Sequence, residues 1–106
     1  MPTKPQRKSE PPDALQRARR HMDRANERLV VALQARARLA REIGKLKRNL
    51  GLRGADPRRE REMLARLLRD APAGFERRAL ASILREVFAH SRALVERELK
   101  PARKSR

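Results

Sequence analysis

The sequence predicts an all-α fold: three helices, long, short and medium, forming an intertwined antiparallel helical homodimer. Three observations carry that expectation. A heptad seam runs through the first half of the chain, an Asp-Pro helix start lies near the middle, and an apolar helical stripe fills the last third, with no strand alternation anywhere. At 106 residues the chain has room for one domain.

Residues 1–12 are rich in Pro, Lys and Ser and read as a disordered basic leader. From Leu15 the pattern changes. Leu15, Ala18, Met22, Ala25, Leu29, Ala32, Arg36, Leu39, Ile43, Leu46 and Leu50 follow one another at alternating steps of three and four. No Pro or Gly interrupts them before Gly44. The seam implies one helix of about 36 residues, on the order of 54 Å long. Two short partners do not cover such a stripe, and a second copy of the same helix does. Gly51 to Ala55 reads as a loop, and Asp56-Pro57 as an N-cap followed by proline at the first helical position. Met63, Leu64, Leu67 and Leu68 form the apolar face of the second helix, which Pro72-Ala73-Gly74 ends. A third helix is expected from about Phe75 to Leu99, with Leu80, Leu84, Val87, Leu94 and Val95 inward and Pro101 just beyond. The helical domain thus spans residues 13–99, and residues 100–106 form a basic tail.

The charge needs dissecting before it is used. Of 29 basic and 13 acidic residues, eight basic and two acidic lie in residues 1–12 and 97–106. The middle retains 21 against 11, a net +10 within the total of +16. A basic body favours anionic partners: nucleic acid, acidic lipid or an anionic metabolite. With no cysteine and with His21 and His90 far apart, neither a disulfide framework nor a metal site is expected. No apolar run approaches the ~20 residues of a membrane span. The basic N-terminus lacks the apolar region of a secretory signal, so a cytoplasmic location is expected and a membrane partner is not.

Two polar residues sit where a structural helix bundle wants apolar ones. Arg36 occupies a heptad core position between Ala32 and Leu39, and a guanidinium there needs an anion. Lys47 lies eleven residues on, about 16 Å along the axis and on nearly the same side. Both side chains are long enough to converge on a small molecule between them. Arg19 flanks the same seam but is about 25 Å from Arg36 along one helix. Only an antiparallel partner subunit delivers it to the same place. Ser91 interrupts the stripe of the third helix, where the plain structural reading is a hydroxyl bonded back to its own helix.

At these residues the sequence resembles a known family. The stretch LQARARLAREIGKLK (33–47) is similar to the end of the long first helix of the AroQ-class, all-helical chorismate mutases. DPRREREML (56–64) resembles their loop and second-helix start, and ILREVFAHSRAL (83–94) their third helix. RRHMDRANERLVVAL fits the upstream pattern more loosely. The resemblance covers about residues 14–95, and the three pieces occur in order at matching spacing.

What the resemblance implies is a chorismate mutase, a cofactor-free isomerase that rearranges the dicarboxylate chorismate to prephenate for phenylalanine and tyrosine synthesis. Its site is shared between the subunits of a homodimer. Arg36 would clamp one substrate carboxylate and Arg19 of the other subunit the second. Lys47 would bond the ether oxygen and a carboxylate. Glu60 would accept from the ring hydroxyl, with Asp56 and Arg59 in the same wall, and Ser91 would touch the ring carboxylate. Four residues after the serine the family has glutamine or glutamate as a donor to the ether oxygen. Here that position is Val95, and Glu96 points about 100° further round the helix. This departure bears on catalytic efficiency more than on ligand class.

Three other readings stay open from sequence. One is an isochorismate-pyruvate lyase, and another is a non-catalytic module of the same fold. The third, a basic helical nucleic-acid binder, lacks stacking aromatics and leaves Arg36 unexplained. An activating partner enzyme would suit so short a mutase.

Overall fold

The computed structural model describes residues 12–100. The expected leader and tail lie outside the described residues, except for Pro12 and Lys100. Three helices follow one another: α1, Asp13–Leu50; α2, Pro57–Arg69; α3, Arg77–Leu99. Among the described residues there is no strand. At 38 residues α1 is close to the length the seam predicts.

The chain divides into two units, residues 1–35 and 36–106. In the first, the described part is helical from Asp13 onward and exposed up to Gln34. Leu15, Met22, Leu29, Val30 and Val31 all face solvent, so this stretch buries none of its large apolar side chains.

The second unit has a small core made of Ala40, Gly44, Ala81 and Phe88. Here α1 meets α3 through small residues. A Cβ on Gly44 would lie 2.7 Å from Glu98 Cβ and 3.0 Å from the Val95 carbonyl oxygen, so only glycine permits this approach. Four residues on, Arg48 Nη1 donates to the Glu98 carbonyl at 3.0 Å. The heptad seam runs beside this face on the same helix. Leu39, Ile43, Leu46 and Leu50 remain 56, 46, 51 and 69% exposed. Arg36 lies where the seam borders the face of Ala40 and Gly44, and it turns toward α3, where Ser91 and Phe88 receive it.

Glycine ends α1 in a Schellman motif. Gly51 takes φ +71°, its N–H donates to Arg48 O at 3.2 Å, and Leu52 N–H donates to Lys47 O at 2.8 Å. The start of α2 is the cap that Asp56-Pro57 predicts, with Arg59 N–H donating to Asp56 Oδ1 at 3.2 Å. Its apolar face is only half-buried at Met63, Leu64 and Leu68, and Leu67 is exposed. The third helix begins two residues later than expected. Gly74 turns the chain at φ +99°, leaving Phe75 exposed, and the Glu76 carboxylate caps α3 by accepting from Ala79 N–H at 3.0 Å. Within α3, Leu80, Leu84, Val87, Leu94 and Val95 are half-buried, and the deepest side chains are Ala81 and Phe88.

Candidate active site

A cavity of about 280 Å³ lies between the second half of α1, the start of α2 and the second half of α3. Its size is at the low end for small-molecule sites. Every lining residue belongs to residues 36–106. Leu39, Ala40, Ile43, Met63, Phe88 and Val95 supply apolar wall. Arg36, Lys47, Arg59 and Arg92 supply cations, and Asp56 and Glu60 carboxylates. Four positive against two negative charges leaves the lining at a formal +2, suited to a dianion.

Local structure holds each polar group. Arg36 Nη1 donates to Ser91 Oγ at 2.7 Å, and its guanidinium carbon stands 5.4 Å above the centre of the Phe88 ring. Ser91 is thus tied to α1 rather than back to its own helix. Lys47 is the residue whose carbonyl the Schellman turn engages, and its ammonium reaches over that turn to donate to the Gly54 carbonyl at 2.8 Å. Asp56 spends one carboxylate oxygen on the cap of α2. That cap sets Arg59 and Glu60 in the first turn of the helix, facing the cavity. Glu60 Oε1 accepts from Arg92 Nη1, the only ion pair in the cavity wall among the described residues.

The cations are held unevenly. Arg36 and Lys47 are anchored by neutral acceptors, a hydroxyl and a carbonyl, and no carboxylate lies within 4.0 Å of Arg36, Lys47 or Arg59 among the described residues. A neutral anchor fixes direction without cancelling charge, so their field stays available to an incoming anion. The fourth cation, Arg92, is neutralised by Glu60.

Seven sequence-predicted residues meet here: Arg36, Lys47, Asp56, Arg59, Glu60, Ser91 and Val95. Glu96 does not line the cavity. Its carboxylate lies against the back of the loop, where a Cβ on Gly54 would come within 2.5 Å of Oε2. Arg19 is exposed on α1, in the unit of residues 1–35. Sequence reasoning missed two participants, Arg92 and Phe88. Phe88 had a legible signal, as the one aromatic on the apolar stripe of α3. Arg92 had none among so many arginines.

Residues 18–96 match the family model described as chorismate mutase type II. The chain belongs to the type II chorismate mutase family. The residues that line the cavity fall inside the matched span. Among solved structures, form II of the chorismate mutase from Thermus thermophilus is similar at 39% identity and a TM-score of 0.77, covering 80% of this chain and 97% of that one. Form I of the same enzyme matches at 38% identity and a TM-score of 0.72, covering 74 and 99%. The bifunctional chorismate mutase/prephenate dehydratase of Aquifex aeolicus (strain VF5) is 34% identical over 94 residues, 85% of this chain. This chain spans about a quarter of that curated relative's length, 26%. No helix among the described residues is long and apolar enough to cross a membrane.

Proposed function

We propose that the cavity binds chorismate and rearranges it to prephenate, in a homodimer whose second copy completes the site. The observation that carries this reading is the set of three cations, Arg36, Lys47 and Arg59, that line one cavity without a carboxylate partner. A unimolecular pericyclic rearrangement needs no nucleophile and no proton transfer. It needs the enolpyruvyl side chain held over the ring, and positive charge where the ether oxygen gains electron density.

In this assignment Arg36 clamps one carboxylate with its fork, and its bond to Ser91 fixes the fork's plane. Ser91 accepts from Arg36, which leaves its own proton free for the ring carboxylate. Lys47, a compact charge, serves the ether oxygen and a carboxylate. Glu60 accepts from the ring hydroxyl through the oxygen that Arg92 leaves free, and Asp56 and Arg59 complete that wall. Val95 lines the cavity where a second donor to the ether oxygen is wanted, so the rate rests on Lys47. An activating partner enzyme would work by changing this corner.

The exposed seam supports the dimer. Leu39 and Ile43 line the cavity and also belong to the exposed seam, so the cavity opens onto the surface that a second α1 would cover. An antiparallel pairing over that seam brings the partner subunit's Arg19 to the opening as the clamp for the second carboxylate. The cytoplasm, where aromatic amino acids are made, is the corresponding location.

The test is chorismate consumption with the product identified. Prephenate supports the proposal. Pyruvate and salicylate from isochorismate, with chorismate untouched, would assign a lyase instead. Val95 favours one other reading, a binding module without turnover, and chorismate bound yet unconverted would establish it.

A further inference from the structure

Arg92 is unassigned by the roles above, and its position poses a problem of charge. Its guanidinium lines the cavity and donates to Glu60 Oε1, with the two side chains 49 and 27% exposed. As a stabilising device such a pair is weak, since solvent screens a partly exposed ion pair and ordering two long side chains costs entropy. As a device that controls where Glu60 points, it has consequences. Glu60 shares the cavity with Arg36, Lys47 and Arg59, none of which has a carboxylate partner. Asp56 is already committed to capping α2. Glu60 is therefore the carboxylate most able to swing onto those cations and cancel the charge that a dicarboxylate needs.

A second hollow of about 250 Å³ lies beside the first, lined by Arg61, Leu64 and Arg85. Glu60, Phe88 and Arg92 line both hollows, so the ion pair forms part of the partition between them. It draws the Glu60 carboxylate toward this wall and away from the cations on α1.

We infer that Arg92 is a positioning residue. It sequesters Glu60 so that Arg36, Lys47 and Arg59 stay uncompensated, and it leaves Glu60 Oε2 as the free acceptor. This rests on the dicarboxylate-binding reading given above. Replacing Arg92 by Met removes the holder and releases Glu60 to compete with substrate for the remaining cations. Replacing Glu60 by Gln as well removes the competitor. The double variant restores the lining to +2, the wild-type value, whereas Arg92→Met alone leaves +1.

The experiment is steady-state kinetics with chorismate on wild type, Arg92→Met, Arg92→Lys, Glu60→Gln and the double variant, with thermal melts of each. We expect Arg92→Met to raise KM about ten-fold, the scale of one charge-assisted contact. Its melting temperature should stay near wild type, and Arg92→Lys should retain much of the binding. Glu60→Gln alone loses the carboxylate that accepts from the ring hydroxyl, so it is the reference for the double variant, whose KM should lie within about three-fold of it. A structural role does not produce that loss of effect, because Arg92→Met would then damage the wall with or without the Glu60 carboxylate. Unchanged KM in Arg92→Met, or a rise in KM about as large when Arg92→Met is added to Glu60→Gln, overturns the inference while wild-type turnover leaves the mutase reading standing. A wild-type chain that neither binds nor converts chorismate overturns both.

Discussion

Replacing Gly44 by Ala sets two effects of opposite sign against each other. In an isolated helix the change stabilises, because Ala exceeds Gly in helix propensity by about 1 kcal/mol. In this fold the new methyl would stand 2.7 Å from Glu98 Cβ, 3.0 Å from Val95 O and 3.2 Å from Val95 Cα. All three are backbone or first side-chain atoms, so no rotamer change relieves them and α3 itself must move. Overpacking of that kind costs about 1–3 kcal/mol, enough to cancel the propensity gain and in most of the range to exceed it. The function should suffer more than the stability. Arg36 and Ser91 bridge α1 and α3 at 2.7 Å two turns away, and Val95 lines the cavity from the residue being pushed. A displacement of about 1 Å at such a site costs on the order of 10²-fold in rate. The assay is thermal unfolding of Gly44→Ala beside its kcat/KM for chorismate. A stabilised variant with wild-type activity would refute the reasoning, since it would mean that α1 and α3 do not meet at Gly44.

Other substitutions test other links. Val95→Gln adds a donor aimed into the cavity and should raise kcat at least ten-fold, because one donor to a developing oxyanion is typically worth ~10²–10³. Glu96→Gln should change kcat little, as that carboxylate lies behind the loop. An unchanged rate in Val95→Gln together with a large loss in Glu96→Gln would contradict the register of α3. Arg36→Ala should lose turnover by at least 10²-fold while melting within a few degrees of wild type, since its partners are a hydroxyl and a ring face rather than a buried carboxylate. Unfolding of that variant would make Arg36 structural. Sedimentation of the wild type at micromolar concentration should give a dimer, and a well-folded monomer would remove the need for a partner at the exposed seam.

The elements that sequence made legible are those marked by backbone chemistry. Asp56-Pro57 announces the start of α2 because a cap acceptor and a fixed φ have few other uses side by side, and Gly51 closes α1 because the turn demands a positive φ. The seam announced the long helix but not the face of it that packs on α3. Hydrophobic periodicity registers Leu39, Ile43, Leu46 and Leu50, which the described chain leaves exposed, and is nearly blind to Ala40 and Gly44, which it buries. Small residues carry little hydropathy, yet they decide how closely two helices approach. Arg92 was illegible for a different reason. Its meaning lies in the carboxylate 32 positions away that it holds, and no local pattern encodes that partnership.

The central claim is that the cavity is a mutase site completed by a second copy of the chain. Subunit mixing tests it most directly. Arg19→Ala and Arg36→Ala chains, each close to inactive alone, are mixed, unfolded and refolded together, and chorismate turnover is measured. In a mixed dimer one site would pair an intact Arg36 with the partner subunit's intact Arg19, and the other would lack both. Random pairing makes half the dimers mixed, so the account predicts recovery to about a quarter of wild-type activity. Verified mixed dimers with no more activity than the parents would contradict it.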